Sequence, residues 1–250
     1  MEQWKNRLAI VTGASSGIGA AIAKDLAKAG MITIGLARRV ERVEALKKDL
    51  PANVQGNLHA VKCDVSKEEE IIRVFSEIDA KFNGIDVLIN NAAVLREGAL
   101  ITKDNSTSVR EVLDTNVLGV VFCTREAYKS MEKHGRNSHV VHINSIVGHN
   151  IINDPKMAST NIYTAGKFAL TAIMEIHRQE FIRSKHHIKV TSVSPGVVKT
   201  EMVPEDFAEK YGNFSFLEPE DVSHSILHVL GTPPHVQIHE LTIKPFGETF

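Results

Sequence analysis

The fold is decided by the stretch Leu8-Ala-Ile-Val-Thr-Gly-Ala-Ser-Ser-Gly-Ile-Gly19 near the start of the chain. Its apolar beginning, residues 8–11, predicts a buried strand. Glycines follow at Gly13, Gly17 and Gly19, and an alanine-rich run over residues 20–28 predicts a helix. A strand, a glycine-rich turn and a helix N-terminus form a cradle for phosphate, because free backbone N–H groups can approach an anion there. The spacing G-x-x-x-G-x-G departs from the general dinucleotide fingerprint, so a glycine-rich turn without a ligand is the alternative interpretation.

The composition is ordinary for a globular protein, with 43% hydrophobic and 24% charged residues among 250. This length suits one α/β domain. We therefore expect residues 1–250 to form a single domain. The formal net charge is −1, and no basic stripe is present. The sequence therefore excludes nucleic acid as a partner.

The cysteines and the N-terminus bear on the cellular compartment. Only Cys63 and Cys123 occur, and their apolar neighbours predict buried free thiols of a reducing compartment rather than a disulfide framework. Residues 1–7 lack the apolar core of a signal peptide. No apolar run approaches the ~20 residues of a membrane span. We expect a cytoplasmic protein without a membrane span.

Strand-like and helix-like segments alternate along the whole chain. The predicted strands are 8–11, 31–37, 58–62, 85–89, 140–145, 188–194 and 237–243. The predicted helices are 20–28, 40–49, 67–82, 109–131, 162–183 and 219–230. This alternation predicts a Rossmann-type, doubly wound parallel sheet of seven strands with helices on both faces. The long irregular stretches 94–107, 146–161 and 200–216 all follow strands, so they lie at the carboxyl edge of the sheet, where ligands bind.

The end of the second predicted strand bears on the choice of coenzyme. In the dinucleotide fold an acid at this place accepts the ribose 2′-OH of NAD, whereas an arginine accommodates the 2′-phosphate of NADP. Here Ala37 stands at the acid position, and Arg38 and Arg39 follow. A guanidinium pairs with phosphate in bidentate fashion, so we expect NADP(H) to be preferred over NAD(H). Arginines solvated at the start of a helix are the alternative.

Two polar positions follow the third and fourth predicted strands. Asp64 is placed to accept a hydrogen bond from the adenine amino group, or alternatively to cap the helix entered through Ser66. Asn91 can bridge strands with its amide, and Ala92 leaves room for a flat ligand. The sequence therefore predicts that the adenine lies beside Asp64.

Tyr163 and Lys167 stand at positions i and i+4 of a predicted helix and therefore share one face. A nearby ammonium stabilises a phenolate, so we expect Lys167 to lower the tyrosine pKa and let Tyr163 exchange a proton with an alcohol or carbonyl. Ser145 ends the fifth strand at the same edge, where its hydroxyl can hold the reacting oxygen. Asn116 lies in a helix despite its poor helix propensity, which favours a buried role with a water linking it to Lys167.

These motifs together resemble the short-chain dehydrogenase/reductase superfamily. They are Thr12-Gly-Ala-Ser-Ser-Gly-Ile-Gly19, Cys63-Asp-Val65, Asn90-Asn-Ala-Ala93, Asn116, Ser145, Tyr163-Thr-Ala-Gly-Lys167 and Ser194-Pro-Gly196. They cover nearly the whole chain in the family's order. Within the superfamily the chain most resembles the farnesol dehydrogenase-like group, close to certain 17β-hydroxysteroid and carbonyl reductases, in residues 123–128, 195–200 and 217–221.

The resemblance implies a role for each motif. Tyr163 would be the general acid/base, Lys167 would lower its pKa and bind the nicotinamide ribose, Ser145 would orient the substrate oxygen, and Asn116 would hold a proton-relay water. The residues expected to bind the coenzyme are Gly13, Ser15, Ser16, Gly17, Ile18, Gly19, Arg38, Arg39, Asp64, Val65, Asn91, Ala92, Tyr163, Lys167, Pro195, Gly196, Val198 and Thr200. The family usually forms dimers or tetramers, so a homodimer or homotetramer is expected.

The substrate expectation rests on the apolar loops at the carboxyl edge. These loops carry Val94, Leu95, Ile146, Val147, Ile151, Ile152, Met157, Met202, Val203, Phe207, Tyr211, Phe214 and Phe216. Few cations stand among them, which favours a hydrophobic alcohol or carbonyl compound, with an isoprenoid alcohol such as farnesol first. A steroid or carbonyl reductase of the 17β-hydroxysteroid type, and a non-catalytic NADP-binding regulatory protein, are the alternatives. No metal site is expected, because the histidines lack zinc-site spacing.

Two departures from the family pattern affect the site. Ala93 replaces the glycine usual after Asn-Asn-Ala, which we expect to tighten the coenzyme channel. The segment between Ser145 and Tyr163 is longer than usual and carries a polar insert at 153–161, which bears on substrate geometry rather than on the chemistry.

Overall fold

The computed structural model describes residues 1–152, 160–203 and 215–248. Within them, seven strands form one sheet in the order β3-β2-β1-β4-β5-β6-β7, and every neighbouring pair is parallel. The strands are β1 (Leu8–Thr12), β2 (Ile32–Ala37), β3 (Leu58–Lys62), β4 (Val87–Asn90), β5 (Ser138–Ile143), β6 (Ile188–Pro195) and β7 (Glu240–Ile243). The strand order reverses between β1 and β4, which confirms the doubly wound Rossmann-type arrangement expected from the alternation of elements.

The helices connect these strands and cover both faces of the sheet. They are α1 (Gly17–Lys28), α2 (Val40–Ala45), α3 (Glu68–Phe82), α4 (Ser106–Leu113), α5 (Gly119–His134), α6 (Tyr163–Ser184) and α7 (Pro219–Gly231). Short 3₁₀ segments precede β1, lead from α2 to β3 and follow β5. Among the described helices, none combines the length and apolarity needed to cross a bilayer.

The core is divided by the sheet into two apolar layers. Successive β1 side chains alternate between them, because side chains point to opposite faces of a strand. Ala9 and Val11 pack in the cluster that holds the apolar faces of α1 and α7, whereas Leu8 and Ile10 pack in the cluster of α3, α5 and α6. All five β1 residues are buried. This explains the continuous apolar run, since strands of a doubly covered parallel sheet have no solvent-facing side.

The predicted helix 109–131 is not continuous. A π-helical segment, Asp114–Leu118, separates α4 from α5, and the Gly119 N–H donates to the Asp114 carbonyl. Single π turns of this kind insert one extra residue and redirect the side chains around them. Asn116 lies within the segment and bonds to a distant loop, so its tertiary contacts, rather than the local apolar period, account for the interruption.

Several further boundaries differ from the sequence expectation by one to four residues. Two of them are the end of α2 and the start of β7. The helix predicted over 40–49 ends at Ala45 and continues as a 3₁₀ segment, Leu46–Asp49. The last strand begins at Glu240 rather than at residue 237, because its pairing with β6 begins only at Ser192 and Glu240. Neither change moves the carboxyl edge of the sheet, where the predicted site lies.

Candidate active site

A cleft of about 650 Å³ lies at the carboxyl edge of the sheet, beyond the ends of β1, β2, β4, β5 and β6. Every residue that the sequence analysis expected to bind the coenzyme lines this cleft. Ser145, Tyr163 and Lys167 line it too, whereas Asn116 does not. The structure thus brings together residues from many separate stretches of chain, as expected for a switch point in a doubly wound sheet.

The glycine-rich turn is fixed to the segment that follows β4. Asn91 donates its side-chain amide to the carbonyls of Thr12 at 2.9 Å and Gly13 at 3.3 Å. In return, the Thr12 hydroxyl accepts from the backbone N–H groups of Asn91 and Ala92, each at 3.0 Å. Gly13 has φ +68°, and a Cβ built there would lie 2.8 Å from the Ala92 Cα. The turn therefore requires glycine at this position for both its backbone conformation and its packing.

Gly19 allows the first turn of α1 to pack against the glycine-rich turn and the Asn91 side chain. A Cβ added there would overlap the Gly13 carbonyl oxygen and the Asn91 side-chain amide. We expect Gly19→Ala to destabilise the fold by about 1–3 kcal/mol, because backbone cannot move away as a flexible side chain would. Gly56→Ala is the matched control, since a Cβ at that exposed glycine meets nothing within 4 Å. Urea unfolding of the two variants tests the assignment, and equal stability would contradict it.

The N-terminus of α1 faces the cleft without a side-chain cap. Its N-cap residue, Ser16, makes no capping hydrogen bond, and the first turn carries no acidic residue. Free N–H groups and the positive end of the helix dipole favour an anion at such a place. Ser15, Ser16, Gly17 and Ile18 all line the cleft. This arrangement matches the phosphate cradle expected from the glycine spacing.

Two exposed arginines follow β2. Arg38 and Arg39 both line the cleft, and Ala37 occupies the place of an acid. The Arg39 guanidinium donates to the hydroxyls of Ser15 at 3.4 Å and Ser16 at 3.3 Å. Positive charge therefore lies beside the glycine-rich turn, where a phosphate on the adenosine ribose would extend.

Asp64 lines the cleft but also makes local hydrogen bonds. One of its carboxylate oxygens accepts from the Ser66 backbone N–H at 3.1 Å and from the Ser66 hydroxyl at 2.8 Å. These bonds form the turn that leads into α3, whose N-cap is Lys67. Asp64 thus stabilises the entry to α3, which is close to the alternative role considered above, although the N-cap itself is Lys67 rather than Asp64. The contact of Asp64 with adenine stays a prediction.

Tyr163 and Lys167 lie one turn apart at the start of α6, as the i, i+4 spacing predicts. The ammonium nitrogen of Lys167 is 5.6 Å from the centroid of the Tyr163 ring. Lys167 is 2% exposed, and its ammonium group donates to the Ile143 carbonyl at the end of β5, at 2.8 Å. The bond holds the ammonium group beneath the tyrosine, at the inner end of the cleft.

The expected lowering of the tyrosine pKa is not found. Burial raises the pKa of Tyr163 to about 12, because the phenolate loses its hydration. The same cause lowers the pKa of Lys167 to about 7. The sequence argument counted the attraction between the two groups and omitted the cost of taking both out of water. Near neutral pH the tyrosine is therefore a phenol, poised to donate a proton.

Ser145 does not end β5 as expected, because the strand ends at Ile143; it lies two residues further on and caps a short 3₁₀ segment, Ile146–Gly148. Its hydroxyl oxygen accepts from the Val147 backbone N–H at 3.3 Å. Accepting this bond leaves the hydroxyl proton available for a second partner in the cleft. The serine can therefore donate to a substrate oxygen that also faces Tyr163.

Asn116 is buried, as expected, but its side chain has structural partners. The amide oxygen accepts from the Val94 N–H and the amide nitrogen donates to the Val94 carbonyl, each at 2.8 Å. Both polar atoms thus bind the loop after β4. A relay water linking Asn116 to Lys167 stays a prediction.

Several residues that line the cleft were not expected from the sequence. They include Asn144, Thr115, Arg96, Glu97, Val197 and Glu201. Glu201 stands out because it pairs with arginines at the adenine end. Because Glu201 directly follows Thr200, a predicted coenzyme contact, the sequence could have placed it near the cleft. It could not have identified the two arginines that pair with it, since they lie about 160 residues earlier in the chain.

Ala93 lines the cleft, and its narrowing of the coenzyme channel stays a prediction. The polar insert lies largely outside the described residues, as do Met157, Phe207, Tyr211 and Phe214. Across 1–152, 160–203 and 215–248, no three histidine, cysteine or acidic side chains cluster in a way that could hold a metal ion.

The family model described as short chain dehydrogenase matches residues 7–210. The chain is 58% identical to the farnesol dehydrogenase of Aedes aegypti over 250 residues, which covers all of both proteins. It is 40% identical to the dehydrogenase/reductase SDR family member 11 of Homo sapiens, with 98% of this chain and 96% of that protein covered.

Two solved structures show how far the fold is shared. The closed form of a serine dehydrogenase complexed with NADP⁺ superposes with a TM-score of 0.84 at 28% identity, covering 97% of this chain and 96% of that one. A metagenomic short-chain oxidoreductase in complex with NADP gives 0.81 at 25% identity, covering 98% and 99%.

The chain belongs to the short-chain dehydrogenase family and is an oxidoreductase. Within that family it falls in the farnesol dehydrogenase-like group. The match to the family model and the identity to the farnesol dehydrogenase confirm the resemblance drawn from the sequence motifs.

Proposed function

We propose that the chain interconverts a hydrophobic alcohol and its aldehyde or ketone with NADP(H), and that the alcohol is an isoprenoid such as farnesol. The observation that carries this proposal is the convergence of Ser145, Tyr163 and Lys167 on one cleft whose opposite end is basic. The 58% identity to a protein named farnesol dehydrogenase supports the isoprenoid substrate. The whole chain, 1–250, acts in this proposal as one domain.

The residues of the cleft fit a dinucleotide with a 2′-phosphate. The turn at Gly13 leaves no room for a side chain against Ala92, and the uncapped start of α1 offers N–H groups to the pyrophosphate. Arg38 and Arg39 supply positive charge where NAD-specific sites carry an acid. Both solved relatives described above hold NADP, which supports the same preference here.

The proposed chemistry divides between coenzyme and protein. The nicotinamide ring supplies hydride exchange with the carbinol carbon of the substrate. Ser145 donates a hydrogen bond to the substrate oxygen and holds it beside the Tyr163 hydroxyl. In carbonyl reduction Tyr163, a phenol at neutral pH, donates its proton to the forming alkoxide. In alcohol oxidation Tyr163 accepts the proton instead.

Lys167 provides positive charge for this proton transfer. Its position beneath the Tyr163 ring allows the ammonium to stabilise a phenolate as the proton leaves. The pKa of about 7 means that the group can take up or release a proton near neutrality. A proton that reaches Lys167 can then pass toward solvent through the water predicted at Asn116.

An apolar lining supports the hydrophobic substrate. The apolar side chains along the described part of the cleft include Val94, Leu95, Ile146, Val147, Ile152, Met202 and Val203. Burying hydrocarbon against such a surface contributes about 25 cal/mol per Å², so affinity should rise with substrate size.

A series of isoprenoid alcohols of increasing length tests the substrate class. We expect kcat/KM with NADP to rise by roughly threefold or more for each added isoprene unit up to farnesol, because each unit buries further methylene groups. Short polyols of similar alcohol chemistry are the control and should be poor substrates. Better turnover of the polyols, or of steroid alcohols, would replace the proposed substrate.

Exposed apolar side chains support the proposed homodimer or homotetramer. Phe168, Ile176 and Ile182 lie on the surface of α6, and Leu118 lies just before α5. Such side chains on neighbouring helices favour burial against a second copy of the chain.

The cysteines support the proposed cytoplasmic location. Cys63 and Cys123 are buried and free, as expected. Burial raises the pKa of the Cys63 thiol to about 12 and that of Cys123 well above its ordinary value. Neither cysteine forms a disulfide, which suits a reducing compartment.

A further inference from the structure

One carboxylate and two guanidinium groups form a cluster at the adenine end of the cleft. The Arg39 guanidinium donates to Glu201 Oε2 at 3.0 Å, and the Arg42 guanidinium donates to Oε1 at 2.5 Å. Each oxygen of the carboxylate thus serves one arginine. Arg39 and Glu201 both line the cleft. The cation expected to meet a 2′-phosphate therefore already holds an anion from this chain.

The loop after β6 carries Glu201 to this place. The preceding residue, Thr200, lies against the glycine-rich turn, since a Cβ built at Gly17 would be 3.0 Å from the Thr200 Cγ. The loop is fixed by backbone bonds from Lys199 to the Leu217 carbonyl at 2.8 Å and from Val203 to the Thr200 carbonyl at 3.0 Å. The carboxylate is thus presented to the arginines from a fixed backbone.

We propose that Glu201 determines coenzyme specificity by competing with the 2′-phosphate for Arg39. The proposal rests on the NADP preference proposed above. A coenzyme with a 2′-phosphate must take the Arg39 guanidinium from Glu201, whereas NAD lacks this group and leaves the pair intact. Glu201 therefore selectively weakens NADP binding and moderates the preference that Arg38 and Arg39 create.

The ion pair between Arg39 and Glu201 is weak enough for a 2′-phosphate to compete with it. Hydrogen bonds from Arg42 and Arg39 lower the pKa of Glu201, so its carboxylate is ionised at neutral pH. The Arg39 and Glu201 side chains are 45% and 55% exposed, and ion pairs at such sites are weak enough to exchange partners. A phosphate near the carboxylate also meets like-charge repulsion.

Arg42 can hold the Glu201 carboxylate after Arg39 has moved to the phosphate. It lies on α2 and does not line the cleft among the described residues. When Arg39 turns toward a phosphate, the bond between Glu201 Oε1 and Arg42 can persist while the bond at Oε2 breaks. The exchange therefore needs only one ion-pair contact to open.

The test is calorimetric titration of Glu201→Gln with two nucleotides that lack nicotinamide, adenosine 2′,5′-bisphosphate and adenosine 5′-monophosphate (AMP), which differ only by the 2′-phosphate. Glutamine keeps the size of the side chain and removes its charge. We expect the bisphosphate to bind about three- to tenfold more tightly than to the wild type, with AMP unchanged. Glu77→Gln is the control, because it removes the same charge from an exposed pair with Arg73 on α3. It should change neither affinity.

The outcomes separate this inference from the proposed coenzyme preference. Unchanged or weaker bisphosphate binding by Glu201→Gln, in a protein whose wild type prefers the bisphosphate, would overturn the competition and leave the NADP preference standing. Equal tightening of both nucleotides would also overturn it, since the effect would then not concern the 2′-phosphate. A wild type that does not prefer the bisphosphate over AMP would overturn the NADP preference, and the inference with it.

Discussion

Replacing Tyr163 with phenylalanine is expected to lower kcat by ~10²-fold or more while the fold and coenzyme binding persist. The substitution removes only the hydroxyl that would exchange a proton with the substrate. The ring remains at the start of α6, above the buried ammonium of Lys167. Steady-state kinetics measure the loss, and nucleotide titration shows that the cleft still binds its ligand.

Tyr128→Phe is the matched control for this variant. The Tyr128 hydroxyl donates to Glu132 at 2.9 Å on α5 and does not line the cleft among the described residues. Losing it should leave kcat within about twofold of the wild type. Substantial activity in Tyr163→Phe would mean that another group transfers the proton, and inactivity of both variants would point to a general loss of structure.

Replacing Lys167 with methionine is expected to abolish turnover and, in the coenzyme-free chain, to stabilise the fold. The ammonium is 2% exposed and has a backbone carbonyl as its described hydrogen-bond partner. Burial of the charge is unfavourable, as the lowering of its pKa from 10.5 to about 7 indicates. An apolar side chain of similar length should raise the free energy of unfolding at pH 7 by about 1–4 kcal/mol.

The stability difference should depend on pH in a defined direction. Below pH 7 the lysine is charged in both the folded and the unfolded chain, and the full cost of burying the charge is present. Between pH 7 and 10.5 the unfolded chain binds a proton that the folded chain has released, so wild-type stability rises with pH relative to the variant. The advantage of Lys167→Met therefore shrinks across this window.

Urea unfolding at several pH values measures this change. Lys62→Met is the control, since Lys62 is exposed at the end of β3 and its loss should not produce the same trend. Two results would contradict the claim that burying the Lys167 charge is unfavourable. One is a Lys167→Met variant less stable than the wild type at neutral pH, and the other is a stability difference that does not change between pH 7 and 9.5.

The elements that position the site could be predicted because their signals are local. The glycines of the first turn and the i, i+4 spacing of Tyr163 and Lys167 depend only on neighbouring residues. Parallel strands covered on both faces also give continuous apolar runs, as β1 does. The expected coenzyme residues therefore meet in one cleft, since the topology follows from the order of these elements.

The features that escaped prediction depend on tertiary contacts. The π-helical segment at Asn116 accompanies bonds to Val94, 22 residues earlier. The pKa values of Tyr163 and Lys167 depend on how deeply both groups are buried, which a spacing cannot report. Glu201 reaches Arg39 and Arg42 only because the loop after β6 crosses the glycine-rich turn. No local pattern around Glu201 indicates these partners.

The initial rate of reduced nicotinamide formation with farnesol tests the central claim most directly. The wild type is assayed with NADP⁺ and with NAD⁺ side by side, and Tyr163→Phe serves as the blank. The account predicts measurable oxidation by the wild type, a higher kcat/KM with NADP⁺ than with NAD⁺, and almost no rate in the blank. Equal rates with and without the Tyr163 hydroxyl, or no oxidation of farnesol with either coenzyme, would contradict it.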